Sequence, residues 1–232
     1  MGLGQVKIGL CIVWVSFFPA SLLASSFDVD ASLNERAKWR SFGVKNWTEF
    51  DPVERAYPSR RPVLVDEWNW PTNTGTIGQL KSLIAHAEAG RKGYDAIHVS
   101  ARVTPGLRPT QMTIGQIRTW IKNTPGQPHA IGRYQIIPST LRSLVARAKI
   151  SNNTKFTPAV QDQLADLLLA DAGLADFQKG RISRVRFMNK LALIWAGLPQ
   201  SNGRSAYHGY AGNRATISLR FYKAQMQKIF RN

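Results

Sequence analysis

From Thr76 to the C-terminus the apolar residues recur at three- and four-residue spacing, the period of amphipathic helices. Ile77, Leu80, Leu83, Ile84 and Ala87 predict a first helix over Thr76–Gly90, with Gly90 as its stop. Thr113 is placed to cap a helix carrying Ile114, Ile117, Trp120 and Ile121. Ser139 or Thr140 starts another with Leu141, Leu144, Val145 and Ala148. Thr157-Pro158 is a cap followed by proline at the first helical position, ahead of Val160, Leu164, Leu167 and Leu168, with Gly173 as the end. Ser183 opens a strongly apolar helix through Met188, Leu191 and Trp195, stopped by Gly197 and Pro199. A last helix is expected from about Ala215 to Phe230. Only Tyr94–Val103 looks strand-like, with Ile97, Val99 and Val103 on alternate positions. The pattern predicts a mainly α domain with a small β element close to its first helix. Trp120 and Trp195 fall on apolar helical positions and read as core.

The first 75 residues lack this periodicity. Lys7, the apolar run Ile8–Phe18, and then Leu22-Leu23-Ala24 have the layout of a secretory signal peptide cleaved near Ala24. The run is short for a membrane span, which needs about 20 apolar residues. Residues 25–75 carry Pro52, Pro58, Pro62 and Pro71 with Trp39, Trp47, Trp68 and Trp70, and read as an extended arm or linker. The expected division is therefore a signal peptide at 1–24, an arm at 25–75 and a folded domain at 76–232.

Charge and cysteine content narrow the setting. Lys and Arg number 31 against 14 Asp and Glu, a formal charge of +17 that favours a polyanionic partner. Cleavage at Ala24 would remove Lys7 and no acid, leaving +16. It would also remove Cys11, the only cysteine, and with it any thiol or disulfide chemistry. An exported, periplasmic or secreted protein meets anionic envelope polymers rather than nucleic acid. Membrane contact would be transient, through the signal peptide, and the arm is a candidate protein-docking segment.

His86, His98, His129 and His208 are scattered without metal-ligand spacing, and neither a nucleophile elbow nor a phosphate loop is present. No metal or cofactor is expected. Glu88 stands apart because it continues the stripe of Leu80 and Ile84 at four-residue steps. A carboxyl so placed is poorly solvated, which raises its pKa and lets it donate a proton near neutral pH. On this feature alone, a glutamate turned to water at a helix end is the better reading.

The segments that follow change that reading. Ala87-Glu88-Ala89-Gly90 is followed by Gly93-Tyr94-Asp95, then Gly132-Arg133-Tyr134-Gln135, then Gln161-Asp162, and finally Trp195-Ala196-Gly197-Leu198-Pro199. In order and spacing these resemble the phage lambda-type endolysins, muramidase-like lytic transglycosylases of the lysozyme superfamily, over roughly residues 76–230. The resemblance implies a lysozyme-like α+β domain in which a small β-hairpin forms one wall of a substrate cleft. It implies Glu88 as the single catalytic acid and base. Gly132–Gln135 then line the cleft: Gln135 hydrogen-bonds substrate, Tyr134 contacts a sugar face and Arg133 accompanies them. Tyr94 and Asp95 belong to the opposite, β wall. Gln161 and Asp162 read only as satisfying the start of their helix.

Peptidoglycan glycan strands are the implied substrate, cut between N-acetylmuramic acid and N-acetylglucosamine with a 1,6-anhydromuramyl product. Hydrolysing glycosidases use two carboxylates. Between Thr76 and Val160 the only acids are Glu88 and Asp95, and Asp95 reads better as a turn residue. This favours transglycosylation. A hydrolytic lysozyme on the same fold and a non-catalytic peptidoglycan-binding protein remain the alternatives.

Overall fold

The computed structural model describes residues 75–209 and 213–231. The segment expected to be a signal peptide, and all but the last residue of the expected arm, lie outside the described residues. Within it the chain is mainly helical with little strand. The helices are α1 (Thr76–Glu88), α2 (Ile114–Asn123), α3 (Pro138–Arg147), α4 (Pro158–Asp171), α5 (Leu174–Gln178), α6 (Arg184–Ile194) and α7 (Leu219–Ile229). Two 3-10 segments, Gly90–Asp95 and Pro109–Gln111, lie between α1 and α2.

Short hydroxyl side chains begin several helices by satisfying amides that have no partner inside the helix. Thr113 accepts from Gln116 N–H while Gln116 accepts from Thr113 N–H, a reciprocal capping box at α2. Thr157, Ser183 and Ser218 accept from the third residue onward at α4, α6 and α7. Ser218 explains why α7 starts later than the apolar spacing predicts. Ala215 and Ile217 are buried ahead of that cap rather than inside the helix. At α3 the expected cap at Ser139 or Thr140 is replaced by Pro138 at the first helical position. Gly173, in the left-handed region at φ 84°, separates α4 from the short α5, which the spacing did not announce.

The apolar faces meet in one core. Leu80, Leu83 and Ile84 of α1, Ile117 and Trp120 of α2, Leu144 of α3, Leu164 of α4, Leu191 of α6 and Met226 of α7 belong to the same buried cluster. Trp195 joins it, so both tryptophans expected in the core are there. Burial on this scale supplies the main drive to fold.

The strand expected at Tyr94–Val103 is not formed in that way. Gly90–Asp95 is a 3-10 segment kinked at Gly93 (φ 53°, ψ −129°). Val99 is 89% exposed and Val103 55%, so the alternation does not mark a buried face. Gln127 takes up the amides of Arg102 and Val103, while Trp120 and Gln127 both donate to the Val103 carbonyl. Side chains thus occupy backbone groups that a sheet partner would need. Pairing near the first helix consists of the isolated bridges Ile97 to Ile131 and Ile131 to Ile136, both antiparallel. The second closes the tight reversal Gly132-Arg133-Tyr134-Gln135.

Candidate active site

Glu88 is the last residue of α1, a partly exposed side chain at the end of a buried stripe. Burial of its carboxyl raises its pKa from the ordinary 4.5 to about 7, partly offset by a hydrogen bond from the Gly197 amide. That N–H donates to Oε1 at 2.8 Å. Such a carboxyl holds its proton over a good part of the neutral range, as a general acid requires.

The contact depends on glycine at 197. A Cβ there would stand 2.5 Å from the Ala87 carbonyl oxygen and 2.9 Å from Thr216 Oγ1. Only a bare Cα lets the loop after α6 lie against the last turn of α1. Thr216 spans the junction. Its hydroxyl donates to Ala87 O at 2.6 Å and, more weakly, to Gly197 O at 3.3 Å. Its amide donates to Gly197 O at 2.9 Å.

A second group forms around Asp162, in the first turn of α4. Tyr94 donates its hydroxyl to the Asp162 carboxylate at 3.0–3.1 Å, and Tyr134 donates at 2.5 Å. Burial first, and then the neighbouring carboxylate, push both phenols upward in pKa, so they stay protonated donors. The Arg133 guanidinium lies 4.7 Å from the centre of the Tyr94 ring and donates to Ser82 Oγ of α1 at 2.8 Å. Gln161, fully buried, accepts from the Arg133 amide and donates to the carbonyls of Tyr94 and Phe156. Gly132 (φ 78°) backs onto it, with no room for a side chain: a Cβ would meet Gln161 Oε1 at 2.4 Å.

The structure therefore gathers Tyr94, Arg133 and Tyr134 from the sequence-derived set and adds Gln161 and Asp162. Those two were read as helix-start residues, a local rule that misses their long-range partners. Tyr134 needs correction. It is 1% exposed, its ring is packed in the core and its hydroxyl is taken by Asp162, so it offers no face to a sugar. Asp95 accepts from the Thr110 amide at 2.9 Å, a contact to the second 3-10 segment rather than within a local turn. Gln135 is partly exposed in the left-handed region (φ 44°), and its amide donates to Gly132 O. Backbone strain of this kind costs on the order of 1 kcal/mol or more and persists where the surroundings fix it.

Two residues at the carboxyl, Gly197 and Thr216, were not among the sequence-derived site. Gly197 lies within the Trp195–Pro199 motif but was read as a helix stop. Thr216 carries no local signal at all. Among the described residues no three His, Cys, Asp or Glu side chains are grouped to hold a metal ion. A concavity of about 320 Å³ lies between the 104–107 loop and α2, lined by Thr104, Leu107 and Trp120 among others. None of the residues above lines it, so the chemistry rather than the concavity locates the site.

A family model described as Endolysin matches residues 83–226, more than half of the chain. The match spans Glu88, the Gly132–Gln135 reversal, Asp162, Gly197 and Thr216. No curated protein and no solved structure matches the chain at a significant level. The family match agrees with the motif order from Glu88 to Pro199: this chain belongs to the endolysin family, whose members degrade the bacterial cell wall.

Proposed function

We propose that the protein is a peptidoglycan lytic transglycosylase with Glu88 as its single acid and base. The observation that carries this is the Glu88 carboxyl itself, held at about pKa 7 by burial, with the Gly197 amide as its donor and no carboxylate partner among the described residues. In the first step the protonated carboxyl donates to the glycosidic oxygen as the bond from the muramyl anomeric carbon breaks. That carboxylate then takes the proton of the muramyl 6-hydroxyl as its oxygen closes on the anomeric carbon. The products are a free 4-hydroxyl on N-acetylglucosamine and a 1,6-anhydromuramyl end, and no water is consumed. Hydrolysis would need a second carboxylate free to act as base or nucleophile. Asp95 is engaged by the Thr110 amide and Asp162 by two phenols, which supports the one-carboxylate reading.

Tyr94, Arg133 and Gln135 are proposed to face or shape the glycan path, with Asp162 and Tyr134 fixing them from behind. We further propose that residues 1–24 direct export, so that the enzyme acts in the periplasm or outside the cell. The cationic surface would hold it near the anionic wall. The test is muralytic activity of Glu88→Gln. Near-complete loss with an unchanged fold is expected; retained activity would remove Glu88 as the acid and base, and a wild type that binds sacculi without cutting them would turn the reading toward a wall-binding protein.

A further inference from the structure

We propose that Thr216 is a positioning residue for the acid/base, acting through the Gly197 amide. The proposal rests on Glu88 being the catalytic carboxyl. Three contacts carry it. The Thr216 hydroxyl donates to Ala87 O, a carbonyl in the last turn of α1 that has no partner within the helix. The Thr216 amide donates to Gly197 O, fixing the same peptide strand from the other side. Gly197 N–H then points at Glu88 Oε1. One side chain thus ties the helix end to the loop whose amide faces the carboxyl, and the absence of a Cβ at Gly197 lets them touch.

The titratable side chains on Glu88's own helix are Lys81 and His86, and Lys81 pairs with Asp166. On the elements packed against α1 are Arg91, Lys92, Tyr94 and Asp95 of the 3-10 segment and Arg220, Tyr222, Lys223 and Lys228 of α7. The shift of the Glu88 carboxyl has burial and the Gly197 amide as its causes, with no contribution from these charges. A hydrogen bond to the charged form favours that form. Loosening the Gly197 amide therefore raises the pKa further and carries the loss of activity to higher pH.

The experiment is the pH dependence of kcat/KM on cell-wall substrate for the full chain, Thr216→Val, Thr216→Ser and Glu88→Gln. Wild type should lose activity as pH rises through about 7. Thr216→Val should move that limb upward by about one pH unit, and Thr216→Ser, which keeps the hydroxyl, should restore it. Thr216→Ala carries the same expectation where the valine variant does not fold. An unmoved limb in a folded Val or Ala variant, or a Ser variant that behaves like Val, would overturn the proposal. Activity in Glu88→Gln would instead overturn the catalytic reading beneath it.

Discussion

Glu88→Gln should make the protein more stable at neutral pH while abolishing its activity. The carboxyl sits at about 7 in the folded chain against 4.5 ordinarily. Between those values the folded state keeps a proton that the unfolded state has released. Stability then falls as pH rises, by about 1.4 kcal/mol per pH unit, until the folded carboxyl ionises too. The full effect is about 3 kcal/mol, and because the side chain is partly exposed about 2–3 kcal/mol is expected. Glutamine keeps an oxygen to accept from the Gly197 amide and carries no charge to desolvate. Denaturant unfolding of both proteins at a series of pH values measures the difference directly, since other titrating groups cancel. The two should coincide near pH 4 and separate progressively to pH 8. Parallel curves over that range would show that burial does not perturb this carboxyl, and the acid/base assignment would lose its physical basis.

Other consequences follow from the packing and the charge. Gly132→Ala places a Cβ 2.4 Å from Gln161 Oε1 at a φ of 78°, so thermal unfolding should report a loss of roughly 2 kcal/mol or more. Asp162→Asn removes a charged acceptor from two tyrosine hydroxyls; a loss of about 1–3 kcal/mol is expected in the same assay, with reduced activity as the Tyr94–Arg133 stack loosens. The formal charge of +17 predicts that sedimentation with purified sacculi weakens steeply towards about 0.5 M salt, where screening is short-ranged.

The helices and their beginnings were legible because both are local. Thr113, Thr157 and Ser183 bond amides within three residues of themselves, and apolar spacing reports a face whatever it packs against. The strand at Tyr94–Val103 was misread for the opposite reason. Ile97, Val99 and Val103 alternate correctly, but Gln127 and Trp120, remote in sequence, occupy the backbone. The site divides in the same way. Glu88 was visible from its place on a stripe and from the order of motifs around it. Asp162 obeyed a helix-start rule that hid its bonds to Tyr94 and Tyr134. Thr216 lies 129 positions from Ala87, and nothing in its neighbours announces that contact. Tyr134 had the right motif, but motif order cannot say which of the neighbours Tyr134 and Gln135 turns inward.

Digestion of sacculi in water enriched in heavy oxygen tests the central claim most directly, with the muropeptides weighed by mass spectrometry. The account predicts muramyl ends lighter by one water than reducing ends, carrying no label, and absent when Glu88→Gln replaces the wild type. Reducing ends that carry the heavy isotope would contradict it, because water rather than the substrate's own 6-hydroxyl would then have attacked the anomeric carbon.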